Sequence, residues 1–217
     1  MPLTINNDTA IHEAGHCIIS YLALDLFEIE FVTANQELSK TQDLTSLGKL
    51  KGFIKKDVKT LTFQDHDLMI LICLAGMSAD DINHCECNLN EELYDNSVFA
   101  QKVISKKYSG DSALLTPHLS KLVSYYNVDQ RPYTISCQRL LNETFATDWI
   151  KDILIEVRNK IASYPNQTIQ GSEIITYLGT TELLEWRKNV WSKIIESRVI
   201  KFKNISNQKN NPKIKKT

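Results

Sequence analysis

The sequence predicts a mainly α-helical fold with a small β element, and two observations support this prediction. The chain of 217 residues holds only 7 Gly and 5 Pro, too few for the many tight turns of a β-sandwich. Apolar side chains recur at helical spacing through most of the chain, whereas the alternation typical of a strand is confined to short segments such as Phe27–Thr33. A chain of this length can bury the core of one domain.

The predicted elements follow from this periodicity. A polar cluster at Asn6–Thr9 precedes an apolar run and predicts a helix over 9–24. Strands over 27–33 and 49–56 are expected to form a small sheet. Beyond Pro117 the pattern stays helical, so a helix is expected to begin near Leu119. In chain order, the further predicted helices cover residues 62–82, 92–107, 119–126, 135–164, 173–178 and 181–203.

Charge and cysteine usage narrow the class of protein. The formal net charge of -1 gives no overall attraction to nucleic acid or to a membrane surface. Five Cys at irregular spacings, without a secretory signal, favour free thiols and a cytoplasmic location. The longest apolar run, Leu68–Ala75, is far shorter than the roughly 20 residues that span a bilayer, so we expect no membrane span.

The motif that carries chemistry is His-Glu-Ala-Gly-His at residues 12–16. On a helix His12 and His16 lie one turn apart, so both imidazoles can bind one metal ion. A zinc ion with an open coordination position lowers the pKa of bound water to about 7. Glu13 lies beside the pair and is predicted to act as the general base when that water attacks a peptide carbonyl. The motif therefore predicts a zinc-dependent metalloendopeptidase.

Gly15 stands inside the predicted helix, where Gly costs about 1 kcal/mol relative to Ala. Close approach of another backbone would explain it, and a neutral packing contact is the alternative.

Two histidines leave a zinc ion short of one protein ligand. The sequence offers candidates in several places, namely Asp80, Asp81, His84, Glu86, Glu91, Glu92, Asp95, His66 and His118.

Four segments resemble the peptidase domain of FtsH-type AAA proteases. Residues 10–19 resemble the His-Glu-Ala-Gly-His helix of that family. Residues 74–82 are similar to its leucine-glycine-glycine-arginine-x-alanine-glutamate-glutamate-leucine helix. Residues 94–100 are similar to its asparagine-aspartate helix start, and residues 168–174 to its threonine-leucine-x-glycine segment. The resemblance spans about 10–178 and implies a zincin-like fold.

The resemblance implies a role for individual residues. It makes His12 and His16 zinc ligands, Glu13 the base and Asp95 the third ligand, whereas Asp80 would lie near the metal and orient a histidine. The family's Gly-Gly-Arg is replaced by Ala-Gly-Met at residues 75–77, and its paired Glu by Asp80 and Asp81. Glu91 and Glu92 remain alternatives for the third ligand.

The expected organisation is a peptidase domain over 1–180, a C-terminal helix over 181–203 and a Lys/Asn-rich disordered tail over 204–217. Family members carry an ATPase module, but no Gly-x-x-x-x-Gly-Lys phosphate loop occurs in this sequence. The expected partners are therefore a polypeptide substrate and either a separate ATPase or further copies of the chain. Two alternatives remain: a non-catalytic zinc-stabilised interaction module, and a structural protein whose C-terminal helix and tail bind a partner.

Overall fold

The computed structural model describes residues 7–35, 49–84, 109–164 and 167–210. Within these residues the chain is mainly helical with a small antiparallel sheet, so the predicted fold class is confirmed at this level. In chain order the elements are α1 (Asn7–Leu22), β1 (Phe27–Thr33), β2 (Lys49–Ile54), a 3-10 turn (Val58–Thr60), α2 (Phe63–His84), α3 (Ser109–Tyr126), α4 (Gln130–Ala146), α5 (Asp148–Ala162), β3 (Ile169–Gln170), α6 (Gly171–Gly179), α7 (Leu183–Trp186), a π-helical turn (Arg187–Trp191) and α8 (Ser192–Asn210).

The sheet has the strand order β2-β1-β3, and both pairings are antiparallel. Strand β1 occupies the predicted residues and pairs with β2 from Phe27 opposite Ile54 to Thr33 opposite Lys49. Strand β3 has only two residues, of which Ile169 pairs with Val32. Periodicity cannot reveal so short a strand, and the sequence did not predict it.

Helix α1 lies at the centre of the molecule, between α2, α5 and the sheet. From Thr9 to Leu22 every residue except His12 is buried. Gly15 allows α1 and α2 to approach closely, because a Cβ there would stand 2.6 Å from the carbonyl oxygen of Ala75 and 2.7 Å from the Cβ of Ala79. The predicted close backbone approach thus explains this glycine.

Helix α2 forms the second half of the core and contacts α1, α3, α4 and α8. The buried apolar side chains form one cluster that includes Trp191, Ile195 and Phe202 near the C-terminus. The C-terminal helix is therefore packed on the same core as the rest of the described chain.

Helix α3 begins at Ser109, so the expectation that it begins beyond Pro117 is wrong. A proline removes one N–H and leaves the carbonyl of the residue four positions earlier, Ala113, without its helical partner. Both Ala113 and Pro117 are exposed, so water can hydrate that carbonyl and the helix continues.

The single helix predicted over 135–164 is two helices, α4 and α5. The chain is extended at Thr147, with φ -68° and ψ 122°. The turn brings the apolar face of α5 back onto α1. Thr147 and Asp148 are residue types that begin helices, and they are the sequence signal for this break.

The C-terminal helix is interrupted by one π-helical turn and continues to Asn210, past the predicted end at Lys203. The helix predicted over 92–107 and the last part of the predicted tail lie outside the described residues.

Candidate metal centre

His12 and His16 lie one turn apart on α1, and their rings converge. The two Nε2 atoms are 3.1 Å apart, and the ring planes meet at 80°. The side chain of His12 is 14% exposed and that of His16 is 7% exposed. The predicted pair therefore meets at a point that solvent can still reach.

Hydrogen bonds on the far side of each ring fix its orientation. His16 Nδ1 is 2.7 Å from the carbonyl oxygen of Ile72, which can only accept a hydrogen bond. His12 Nδ1 is 3.2 Å from Oδ2 of Asp80. Each Nδ1–H therefore donates, so in the neutral ring each Nε2 has a lone pair directed at the shared point. Metal-binding histidines are oriented in this way.

Asp111, in the first turn of α3, completes a group of three possible ligands. Its Oδ2 is 3.1 Å from Nε2 of His12, and its Oδ1 is 3.3 Å from Nε2 of His16. Among the residues that the structure describes, this is the only group of three or more His, Cys, Asp or Glu side chains arranged so that it could hold one ion.

The spacing of the three groups fits zinc. Two donors about 2.05 Å from a tetrahedral zinc ion lie about 3.3 Å apart, and the three separations measured here are 3.1, 3.1 and 3.3 Å. Two imidazoles and one carboxylate form a donor set used by catalytic zinc sites, which keep one position open.

Gly76 on α2 leaves the space that this arrangement needs. A Cβ at this position would lie 2.5 Å from Nε2 of His12 and 2.5 Å from Nε2 of His16. A methyl group at residue 76 would therefore overlap both rings at the nitrogens that face each other.

Glu13 is 4% exposed and lies between the two histidines in sequence. Its Oε2 atom is buried and has no hydrogen-bond partner among the described residues, while its carboxylate accepts a hydrogen bond from the backbone of Leu50 on β2. Burial raises the pKa of Glu13 to about 7, against the opposing influence of His12 and His16. A buried acceptor without a partner is costly, and a reacting molecule would satisfy it.

The site attracts positive charge. Burial alone would lower the pKa of His12, but hydrogen bonds to Asp111 and Asp80 raise it to about 10. Burial would raise the pKa of Asp111, yet His16 and His12 hold it well below its usual range. With the imidazoles neutral, the carboxylates of Glu13, Asp80 and Asp111 give an excess of negative charge, which a divalent cation would offset.

The other predicted ligand candidates have different fates. Asp80 orients His12, as the family resemblance implied. Asp81 is not part of the group of three. His66 and His118 contact each other on a separate part of α2 and α3. The remaining candidates lie outside the described residues; they are the side chain of His84 and all of Glu86, Glu91, Glu92 and Asp95, which the resemblance makes the third ligand.

Asp111 was missed because of the predicted start of its helix. The sequence predicts no element between Lys107 and Leu119 and therefore gives no reason to place Asp111 beside the histidines. The available signal was Ser-Gly-Asp at 109–111, since an acidic residue in the first turn is typical of a helix start.

Comparison with known proteins adds no family assignment, because no protein-family model and no curated protein matches this chain. None of the helices within the described ranges is both long and apolar enough to cross a membrane.

Proposed function

We propose that this protein is a zinc-dependent metalloendopeptidase with a zincin-like fold of the FtsH type. The observation that supports the proposal best is the convergence of three donor groups beside a buried carboxylate that has an unpartnered oxygen. His12, His16 and Asp111 would hold the ion. Zinc, when bound, supplies Lewis acidity and lowers the pKa of a water molecule to about 7.

The chain's own residues divide the work. Asp80 and the carbonyl of Ile72 keep the imidazoles of His12 and His16 in the tautomer that binds metal. Glu13 is the general base, because its free Oε2 atom can accept a proton and pass it to the leaving amine.

The substrate is an extended polypeptide segment. Strand β2 lies at an edge of the sheet, and the backbone of its Leu50 contacts the carboxylate of Glu13. A peptide that pairs with this edge would bring its carbonyl groups close to the base. A separate ATPase that unfolds the substrate, or assembly of several copies, is compatible with this proposal.

The test is degradation of a permanently unfolded protein, without ATP, by zinc-loaded wild type, Glu13→Gln and Glu182→Gln. Glu182 is exposed on the C-terminal side of the molecule and serves as the matched control. We expect the first variant to lose about 10²–10⁴-fold in rate with zinc content unchanged, and the second to match wild type. Equal rates for Glu13→Gln and wild type would refute the role of Glu13. Zinc binding without cleavage by any of the three would favour the non-catalytic interaction module.

A further inference from the structure

A second pair of histidines lies between α2 and α3, apart from the group at His12 and His16. The Nδ1 atoms of His66 and His118 are 2.9 Å apart, and the ring centroids are 5.2 Å apart with planes tilted by 56°. The rings are thus not stacked but present the same nitrogen to each other. In such a contact the two nitrogens either share a hydrogen bond between neutral rings or both direct a lone pair at one ion.

We propose that His66 and His118 form a second metal site, for a divalent ion of the copper and nickel class. Two nitrogens about 2.0 Å from one ion lie about 2.8 Å apart when they are adjacent corners of a square, and about 3.3 Å apart at the tetrahedral angle. The separation of 2.9 Å matches the square arrangement, which Cu²⁺ and Ni²⁺ prefer. Imidazole nitrogen is a ligand that suits both ions.

The two helices hold the pair in place before any ion arrives. On α3 the buried Leu115 and Leu122 lie three and four residues from His118 and fix that helix against α2. His66 is 6% exposed, whereas His118 is partly exposed. Because the two ligands come from different packed helices, little ordering is required on binding, and solvent can supply the remaining ligands on the open side.

The charges around the pair work in both directions. Burial, followed by the charge of Lys121, lowers the pKa of His66, and burial together with His66 lowers that of His118 to about 4. The rings are therefore neutral at neutral pH. The charge of Asp65 favours a cation between the two histidines, and the charge of Lys121 opposes it. The Lys121 ammonium also lies 4.4 Å from the ring centre of Tyr125. Replacing Lys121 by a neutral residue should therefore tighten the site.

An ion at this pair would join α3 to α2. Asp111 lies seven residues before His118 on the same helix, which is two turns or about 10 Å. The second ion would therefore help to hold Asp111 against the histidines of α1. This consequence rests on the proposed function, whereas the site itself does not.

The test is equilibrium dialysis of the full chain against Ni²⁺ at neutral pH, with wild type, His118→Gln, His16→Gln and Lys121→Gln. We expect wild type to bind one more ion than His118→Gln, and Lys121→Gln to bind that ion at least as tightly as wild type. The readout is the difference from wild type, so ions held elsewhere on the chain cancel. Circular dichroism of each variant checks that it is folded.

The two sites fail independently in this design. If His16→Gln binds as many ions as wild type while His118→Gln binds one fewer, the second site stands and the site at His12 and His16 does not. If His118→Gln and wild type bind equally, the second site is overturned and the pair is an N–H···N hydrogen bond.

A further measurement uses His16→Gln protein, in which the first site keeps only one imidazole and cannot supply two ring nitrogens to copper. Cu²⁺ added to this variant should give an electron paramagnetic resonance spectrum with coupling to two ring nitrogens and a higher melting temperature. A spectrum of solvated Cu²⁺ alone would overturn the proposal.

Discussion

Helix α2 carries two buried charged networks, and they differ in whether each carboxylate oxygen has a hydrogen-bond partner. At Asp67 both carboxylate oxygens are satisfied: Oδ1 accepts hydrogen bonds from Tyr133 and from Nη2 of Arg198, and Oδ2 accepts one from Nε. The remaining guanidinium nitrogen donates to Ser136. At the other end of α2, Asp80 orients His12, but Glu13 keeps a buried oxygen without a partner.

The difference distinguishes a network that holds helices together from one that has room to bind a ligand. A fully paired buried network stabilises one arrangement of helices and has no capacity left for a ligand. A network with converging lone pairs and an unsatisfied acceptor is costly unless something else binds there. The network at Asp67 therefore holds α2, α4 and α8 together, and the network at Glu13 is where we expect chemistry.

The largest effect on stability is expected for Arg198→Ala. It leaves Asp67 buried without its cation, and removing one partner of a buried pair costs about 3–5 kcal/mol in the free energy of unfolding. Denaturant unfolding measures it, with Arg139→Ala as control, because Arg139 is exposed and its ion pair with Glu143 should be worth less than about 1 kcal/mol. Equal losses in the two variants would show that the Asp67 network is not structural.

Zinc should stabilise the network at Glu13 and leave the network at Asp67 unaffected. At a free zinc concentration of 100 times the dissociation constant, the free energy of unfolding should rise by about 2.7 kcal/mol, and a chelator should reverse the gain. Because the two networks share no partner, Arg198→Ala should show the same gain from its lower baseline. If zinc gives no gain in folded Arg198→Ala protein, the two networks are coupled and cannot be assigned separate roles.

Gly76→Ala should weaken zinc binding at least tenfold, or about 1.4 kcal/mol, while the protein stays folded. The new methyl group would push the rings of His12 and His16 apart. The protein should stay folded because the atoms that must move belong to side chains and not to the backbone. Gly110→Ala is a strict control, since this glycine precedes Asp111 yet a Cβ there would meet nothing within 4 Å. Zinc competition with a coloured chelator gives both affinities, and equal values would show that Gly76 is not needed for space.

The smallest expected effect is a change in the alkylation rate of Cys137, whose Sγ atom accepts a hydrogen bond from Arg198 in the network at Asp67. Burial raises the pKa of this thiol to about 11, so at pH 8 it should resist alkylation in folded wild type. The alkylation rate should rise as the pH approaches 11, because the thiolate is the reactive form. In Arg198→Ala the loss of the cation raises the pKa of the thiol further, but Cys137 should still be labelled faster because the weakened network opens more often, as peptide mass mapping would show. Rapid labelling of wild type would mean that the network opens readily.

The sequence predicted α1 and β1 closely because their periodicities agree with their surroundings. Helix α1 is buried on nearly all sides and β1 is the middle strand, so local pattern and tertiary packing point the same way. The histidine pair and Glu13 could be placed together for the same reason, since all three lie on one continuous helix.

Asp111 could not be found by the same reasoning, because it reaches the site through the packing of α3 on α2. Its contact with His12 spans 99 positions in sequence, and the expectation of a helix start beyond Pro117 removed the one local signal. Asp80 is one of the candidate ligands that the residues alone suggest, but its role as the group that orients a histidine comes from the family resemblance. Strand β3 owes its existence to pairing with β1, which two residues of sequence do not encode.

We propose that His12, His16 and Asp111 together hold one zinc ion. The most direct measurement is the zinc content per chain of dialysed wild type, Asp111→Asn, Asp95→Asn and Asp152→Asn, the last being an exposed control on α5. We expect one zinc ion per chain in wild type, Asp95→Asn and Asp152→Asn, and the loss of this ion in folded Asp111→Asn. Full zinc content in Asp111→Asn together with loss in Asp95→Asn would contradict it and make Asp95 the third ligand.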